Sequence, residues 1–228
     1  MGHGKRIDLQ VTDHCVTVRD YGRGIPTGKV IDCVSKINTG GKYDSISFQK
    51  SVGLNGIGTK AVNALSTYFY VQAFRSGQTK AASFQQGILT EDAPLQSTQE
   101  PDGTQVTFEP DASIFKHFRF IPQFIEEQVW NYAFLNAGLV ITLNGQKYVS
   151  KNGLLDLLER KTDVENLRYP ILQLRGEDIE IALTHNSQYG EEYYSFVNGQ
   201  FTTQGGTHLA AFKETIVKTI RDFYKKRF

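Results

Sequence analysis

No glutamate occurs before Glu91, so the first 90 residues set eleven Lys/Arg against five Asp, and the rest of the chain is correspondingly acidic. This fits either a solvated surface or a site built for polyanions, and charge alone does not decide. Cysteine is scarce: Cys15 and Cys33 form no disulfide framework and have no metal-ligand spacing, so buried, reduced thiols in a reducing compartment are expected. No window approaches a membrane span, and the start, Met1-Gly2-His3-Gly4-Lys5-Arg6, has no apolar signal core. A cytoplasmic protein with no membrane partner is therefore expected. The five histidines lack ligand spacing, and no Ser/His/Asp order argues for a hydrolase triad. A net charge of +1 over 228 residues carries no global nucleic-acid signature, and the length suits one large domain or two modest ones.

What is present is strand and helix patterning with sharp turns. Ile7, Leu9 and Val11 alternate, and Val16 and Val18 resume the alternation after Asp13-His14, which predicts a hairpin with Asp20 at its exit. Val30, Val34 and Ile37 keep helical spacing through Lys29–Asn38. Thr39 to Gly58 is polar and Gly-rich, too long for an idle connection, and reads as a lid. A helix at Thr59–Ser66, a hairpin of Tyr68–Phe74 and Lys80–Phe84 across Ser76-Gly77, and a strand at Thr104–Glu109 follow. Next comes a helix at Ile121–Leu135 with Ile121, Phe124, Ile125, Val129 and Tyr132 on its expected buried side. Asn144-Gly145 predicts a hairpin between Val140–Leu143 and Lys147–Ser150. A short helix at Gly153–Glu159 leads into the charged stretch Arg160–Arg168, suited to a domain boundary. Strands at Ile171–Leu174, Ile179–Thr184 and Tyr193–Val197 and a helix from Thr207 to about Lys225 complete an α+β layout, largely antiparallel, in two lobes.

Two glycine motifs carry the chemistry: Asp20-Tyr21-Gly22-Arg23-Gly24-Ile25-Pro26, then Gly53-Leu54-Asn55-Gly56-Ile57-Gly58 ahead of an apolar helix. A carboxylate at a glycine turn can accept from an adenine amino group, because the glycines let the base approach the backbone. The bland reading of Asp20 is a turn cap. Arg23 can stack on the base or form a surface salt bridge, and Pro26 restricts Ile25, stiffening the pocket edge. Glycines before a helix turn bare N–H groups towards phosphate, each charge-assisted bond being worth about 1.5–3 kcal/mol. Gly58-Thr59-Lys60 has the wrong order for a Walker-type loop. Gly56-Ile57-Gly58-Thr59-Lys60-Ala61 fits the dinucleotide pattern but lacks its preceding strand and its later acid. Lys42, after Gly40-Gly41, offers a mobile ammonium or a solvated loop lysine. Thr104, after Gly103, can hold the same adenine edge as Asp20. Gly205-Gly206-Thr207-His208 reads as a helix start with a Thr cap rather than a catalytic group.

These motifs resemble the GHKL ATPase pattern shared by type IIA topoisomerases, mismatch-repair proteins, heat-shock chaperones and histidine kinases. Their flanks narrow the resemblance. Asp20-Tyr21-Gly22-Arg23-Gly24-Ile25-Pro26-Thr27-Gly28, Thr39-Gly40-Gly41-Lys42-Tyr43-Asp44, Val52-Gly53-Leu54-Asn55-Gly56-Ile57-Gly58, Phe134-Leu135-Asn136-Ala137-Gly138 and Gly205-Gly206-Thr207-His208-Leu209 are similar to the B subunits of bacterial type IIA topoisomerases. The short link after Pro26 and the run from Gln204 to His208 resemble topoisomerase IV more than gyrase. The resemblance implies a truncated Bergerat-type GHKL ATPase α/β sandwich over residues 1–162 and the first part of a transducer lobe over 163–228. ATP with Mg²⁺ would close two B subunits into a gate that captures DNA, together with an A-type subunit.

By the same resemblance Asp20 and Thr104 hold adenine, Arg23 flanks it, and Gly24, Ile25 and Pro26 line the base pocket. Asn55, Gly56, Ile57 and Gly58 belong to the phosphate lid. Three departures stand out. The family carries a general-base Glu and a Mg²⁺-binding Asn on a helix ahead of the Asp motif, and none of the nineteen residues before Asp20 is Glu. The family's switch lysine, in a Gln-Thr-Lys, comes later in the transducer than Phe228. Gln78-Thr79-Lys80 spells the same tripeptide inside a first-lobe hairpin. The expectation is therefore an internal piece of an ATPase region, inactive alone and without a catalytic residue or metal ligand of its own. The alternatives are a chaperone- or mismatch-repair-type GHKL ATPase, and a non-hydrolysing dimerisation or DNA-clamp module.

Overall fold

The structure, a computed structural model, describes residues 4–37, 39 and 56–227. Its first part is built on one large mixed sheet. The expected first hairpin is β1 (Arg6–Val11) and β2 (Val16–Asp20). β3 (Ser66–Arg75) and β4 (Gln78–Gln85) turn at Ser76-Gly77. β5 (Ile88–Asp92) and β6 (Gln96–Ser97) both pair with β4. β7 is Gly103–Pro110, and β8 (Val140–Leu143) and β9 (Gln146–Tyr148) turn at Asn144-Gly145. The order is β5-β4-β3-β7-β2-β1-β8-β9. Neighbours are antiparallel except β1 and β8, which run parallel, with Ile7 opposite Ile141 and Leu9 opposite Leu143. The side chain of Asn144 donates to and accepts from the backbone of Val11, pinning that turn to the end of β1.

Strand registers decide which residues share a face. Val18 lies opposite Val106, which lies opposite Val71. This row faces the helix layer, where α1 (Val30–Ser35) and α2 (Gly58–Ala64) lie over β3 and β4. There Val30, Val34, Phe69, Val71, Ala73, Ala82 and Phe84 form one buried cluster. Phe69 and Phe84 meet edge to face at 6.0 Å with no accessible surface to speak of. Each contributes about 1.5–3 kcal/mol through burial. A second cluster of Val129, Ala133, Ile141 and Tyr148 lies under α3 (Pro122–Leu135), which packs on β8 and β9. Between the two clusters, Ile7 and Val18 on the central strands stay half-buried. The outer face is polar, with Thr17 bonded to Thr107 at 2.9 Å and Gln72 to Thr79 at 2.9 Å.

The expected inner side of α3 needs correcting. Val129 is buried, but Ile121 (43%), Phe124 (64%) and Tyr132 (49%) are exposed, and the helix instead buries Ala133 and Phe134. The helix is apolar on several sides, and Trp130 stacking on Phe134 at 5.2 Å and meeting Tyr148 edge-on fixes its rotation. α1 is also shorter than expected, ending at Ser35 with a 3₁₀ turn, Thr27–Lys29, before it.

α4 (Leu154–Lys161) is capped by its own first turn. Asp156 accepts from Ser150 Oγ, Lys151 N, Asn152 N and Asn152 Nδ2, while Gly153 N donates to Ser150 Oγ. Burial alone would raise the Asp156 carboxyl, but these donors hold it below the ordinary carboxylate range. Replacing Asp156 with Ala should cost about 2 kcal/mol in urea unfolding, since an N-terminal carboxylate and its charged hydrogen bonds are lost.

Asp8 behaves alike: burial opposes its charge, but Arg6, Thr142 and Tyr21 hydrogen bonds win and lower it. Both carboxyls titrate lower folded than unfolded, so the unfolded chain binds protons first on acidification. Their stabilisation is complete above the unfolded value, about pH 4, and is lost as pH falls through the folded values. In a denaturant series from pH 5 to pH 2, Asp156→Asn should flatten this acid loss, and wild-type-like steepness would exclude Asp156 as a source.

After α4 the chain makes a 3₁₀ turn, Val164–Asn166, and then the hairpin β10 (Leu172–Arg175) and β11 (Glu180–Leu183). The two-residue strands β12 (Phe196–Val197) and β13 (Gln200–Phe201) precede α5 (Thr207–Arg227). Among the described residues no helix is long and apolar enough to cross a membrane.

Candidate functional site

The site grows from the end of β2. Arg19 lies opposite Gln105, so the register carries Asp20 to the side of Thr104, which is itself opposite Ala73 of β3. Alternation turns Asp20 and Thr104 to the helix side, at one end of the first cluster. Asp20 Oδ1 accepts from Gly22 N at 2.8 Å, the turn cap that its position beside a glycine suggests. Among the described residues, Gly22 N is the hydrogen-bond donor to the Asp20 carboxylate.

Two glycines let three backbones meet here. Gly24 has φ +69°, and a Cβ on it would stand 2.3 Å from the Phe74 carbonyl oxygen and 2.9 Å from that of Gly103. Gly103 has φ +146°, and its Cβ would stand 2.0 Å from the Asp20 carbonyl oxygen. The exit of β2, the end of β3 and the start of β7 are therefore in backbone contact. Arg75 Nη1 donates to Gly24 O at 3.2 Å, and Ser76 N to Asp102 Oδ1 at 2.8 Å, closing the rim. Arg23 is exposed, Ile25 packs against the first cluster, and Pro26 is exposed and opens the 3₁₀ turn, accepting from Lys29 N at 2.8 Å.

Gly56, Ile57 and Gly58 lead into α2, with Gly58 as its first residue and Ile57 48% exposed. Lys42 and Asn55 lie outside the described residues, as does most of the Thr39–Gly58 stretch expected to form a lid. In sequence, Lys60 belongs only to the Walker and dinucleotide patterns that its surroundings exclude. In the structure Lys60 is only 8% exposed, and its Nζ donates to Gly56 O at 2.7 Å. The available signal was its spacing, one helical turn beyond the glycine.

Other polar groups find structural partners. His208 Nε2 is 2.5 Å from Ser195 Oγ, which also accepts from Thr202 Oγ1 at 2.7 Å and donates to Gly205 O at 3.1 Å. Ser195 Oγ thus sits among three polar neighbours, and the tautomer of His208 sets which of the two donates across the Ser195–His208 contact. The cluster ties β12 and β13 to α5, in keeping with a helix start rather than a nucleophile–base pair. Cys15 and Cys33 are free and half-buried rather than fully buried, and burial raises both thiols above their ordinary range. Among the described residues no group of three His, Cys, Asp or Glu could hold a metal ion.

The comparisons with known proteins converge on one class. The family model described as DNA gyrase B matches residues 124–228. The fold matches the ATPase region of Saccharomyces cerevisiae topoisomerase II at TM-score 0.80, with 25% identity over 98% of this chain and 63% of that one. It matches the 43K ATPase domain of Thermus thermophilus gyrase B at 0.74, with 27% identity over 99% of this chain and 63% of that one. The fold is thus a GHKL-type α+β ATPase-region fold, as expected. Within that class, the chain is homologous to the ATPase region of the B subunits of type IIA DNA topoisomerases. It is 46% identical across its whole length to the DNA topoisomerase 4 B subunit of Borreliella burgdorferi, and 33% identical over 94% of its length to the DNA gyrase B subunit of Thermus thermophilus. It spans 38% and 37% of those two relatives, and the chaperone- and mismatch-repair-type alternatives are not favoured.

Proposed function

We propose that this chain is the nucleotide-binding part of an ATP-driven type IIA topoisomerase B subunit, of the topoisomerase IV rather than the gyrase kind. The observation that carries it is the placement of Asp20 beside Thr104 on the helix side of the sheet, with Gly24 and Gly103 admitting no side chain between the three backbones. Asp20 would accept from the adenine amino group, Thr104 would assist, Gly24, Ile25 and Pro26 would line the base, and Arg23 would flank it. Gly56 to Gly58, with Asn55 and Lys42, would contact phosphates. Lys60, already turned towards the Gly56 carbonyl, joins that group as a cation.

Residues 1–162 would be the ATPase lobe and 163–228 the beginning of the transducer. Bound ATP, with Mg²⁺, supplies the free energy that closes two B subunits around DNA, with an A-type subunit as the partner that completes the enzyme. The identity of 46% to a topoisomerase 4 relative, against 33% to a gyrase relative, supports the finer assignment. Ile7 and Val18, half-buried between the two core clusters, support a seat for the helix that the family carries ahead of the Asp motif.

The test is adenine binding. Calorimetric or NMR titration with ADP should give a weak, adenine-selective signal that Asp20→Ala abolishes, because a charged acceptor of a base hydrogen bond is worth about 1.5–3 kcal/mol. An unchanged signal after that substitution would remove Asp20 from the pocket.

A further inference from the structure

Strand alternation puts Arg19 and Asp20 on opposite faces of β2, so the Arg19 side chain works from behind the sheet and cannot reach a base held at Asp20. It is nevertheless only 8% exposed, an unusual state for an arginine, and no carboxylate among the described residues pairs with it. Its guanidinium spends its donors on backbone. Nη1 donates to Asp20 O at 2.5 Å and Nη2 to Pro101 O at 2.6 Å. Its plane lies against Phe74, at 4.2 Å from the ring centroid, and against Tyr21 at 4.8 Å. Arg6 covers Tyr21 at 5.1 Å, and Tyr21 Oη donates to Asp8 Oδ2 at 2.8 Å. The result is a stack of Arg6, Tyr21, Arg19 and Phe74, drawn from β1, the Asp20 turn, β2 and the end of β3.

The fork of Arg19 thus joins the two segments that carry the adenine-facing groups: the Asp20 peptide, and the loop that ends at Gly103 and Thr104. A Cβ at Gly103 would stand 2.3 Å from Arg19 Nη1, so glycine there makes room for the bridge as well as for the backbone. A lysine has no planar fork and cannot span both carbonyls from one position.

We propose that Arg19 is a positioning residue for adenine recognition, holding Asp20 and the Gly103-Thr104 segment at a fixed separation from the far side of the sheet. This rests on the adenine-pocket reading above. Two readouts on the 228-residue chain separate the two claims. The first is the backbone amide of Gly22, which donates to Asp20 Oδ1 and reports where that carboxylate sits without any ligand. The second is the affinity for ADP relative to GDP.

Arg19→Met should move the Gly22 amide resonance, weaken ADP binding by ~10-fold or more, and shrink the ADP-over-GDP preference, while binding of inorganic pyrophosphate stays unchanged. Arg19→Lys should keep the charge yet recover only part of the affinity, and it carries both readouts if the Met variant does not fold. A Gly22 amide unmoved in the folded variant, with ADP affinity within twofold of wild type, would overturn the role of Arg19. If Asp20→Ala leaves ADP binding intact, or wild type shows none, the pocket reading falls, and the Gly22 amide alone still decides whether Arg19 holds the Asp20 carboxylate.

Discussion

Supplied with Mg²⁺ and ATP, these 228 residues alone should release phosphate no faster than a buffer control. Attack on the γ-phosphate needs a base that positions water, typically worth 10²–10⁴-fold, and a cation that meets the developing charge. The resemblance places the base on a glutamate ahead of the Asp20 motif, and the first glutamate of this sequence is Glu91, in β5 at the edge of the sheet. Asp13, in the turn between β1 and β2, is at the opposite end of β2 from Asp20 and is no substitute. The resemblance likewise implies a switch lysine in a Gln-Thr-Lys other than residues 78–80. Lys80, which spells the same tripeptide, is engaged by Asp92 and by the Ala93 carbonyl. A coupled phosphate-release assay beside a polypeptide that also carries a glutamate-bearing helix ahead of the Asp20 motif and a transducer lysine makes the comparison. Equal turnover would mean that a base lies within these residues and that the assignment of roles is wrong.

Gly24→Ala should strongly destabilise the fold and empty the site. A Cβ 2.3 Å from the Phe74 carbonyl meets backbone on both sides, so neither partner can swing away. The positive φ adds about 1–2 kcal/mol for any L side chain. The sum should exceed about 3 kcal/mol in urea unfolding and take ADP binding with it. Gly58→Ala is the matched control. At Gly58 a Cβ meets nothing within 4 Å, and the residue is helical, so stability should rise by about 0.5–1 kcal/mol. A Gly24→Ala protein as stable as wild type would mean that the three backbones do not meet as described.

The parts of the fold that were legible in sequence are those fixed by neighbours. Asn144-Gly145 and Ser76-Gly77 each announce a two-residue turn, and both hairpins fall where the turns put them. That Asp20, Gly24 and Thr104 would lie close together was legible because a glycine motif constrains the backbone over a few residues, whatever the rest of the chain does.

Pairing at a distance left no such trace. Nothing in the β1 sequence names β8 as its parallel partner, and β5, exposed along its whole length, lacks the alternation that burial imposes. The face of α3 was misread because Phe124, Trp130, Tyr132 and Phe134 put apolar surface on several sides, and only the neighbours choose among them. Arg19 escaped notice for a related reason. In an alternating strand an arginine reads as a solvent-facing residue, and the carbonyls that bury it come from Pro101 and from its own next peptide.

The parallel pairing of β1 with β8 also sets a timetable for the chain as it is made. Asp8 and Thr142, which bond across that pair, are 134 residues apart. At synthesis rates of about 5–20 residues per second, β1 leaves the ribosome roughly 7–27 s before its partner. During that interval the outer edge of the β1–β2 hairpin has free backbone donors and acceptors, an invitation to any other unpaired strand. Loop-closure entropy delays the contact further once β8 appears. Newly made protein should therefore be most prone to aggregate before residue 143 has emerged, and a nascent chain halted short of β8 should depend on chaperones more than one halted just beyond β9.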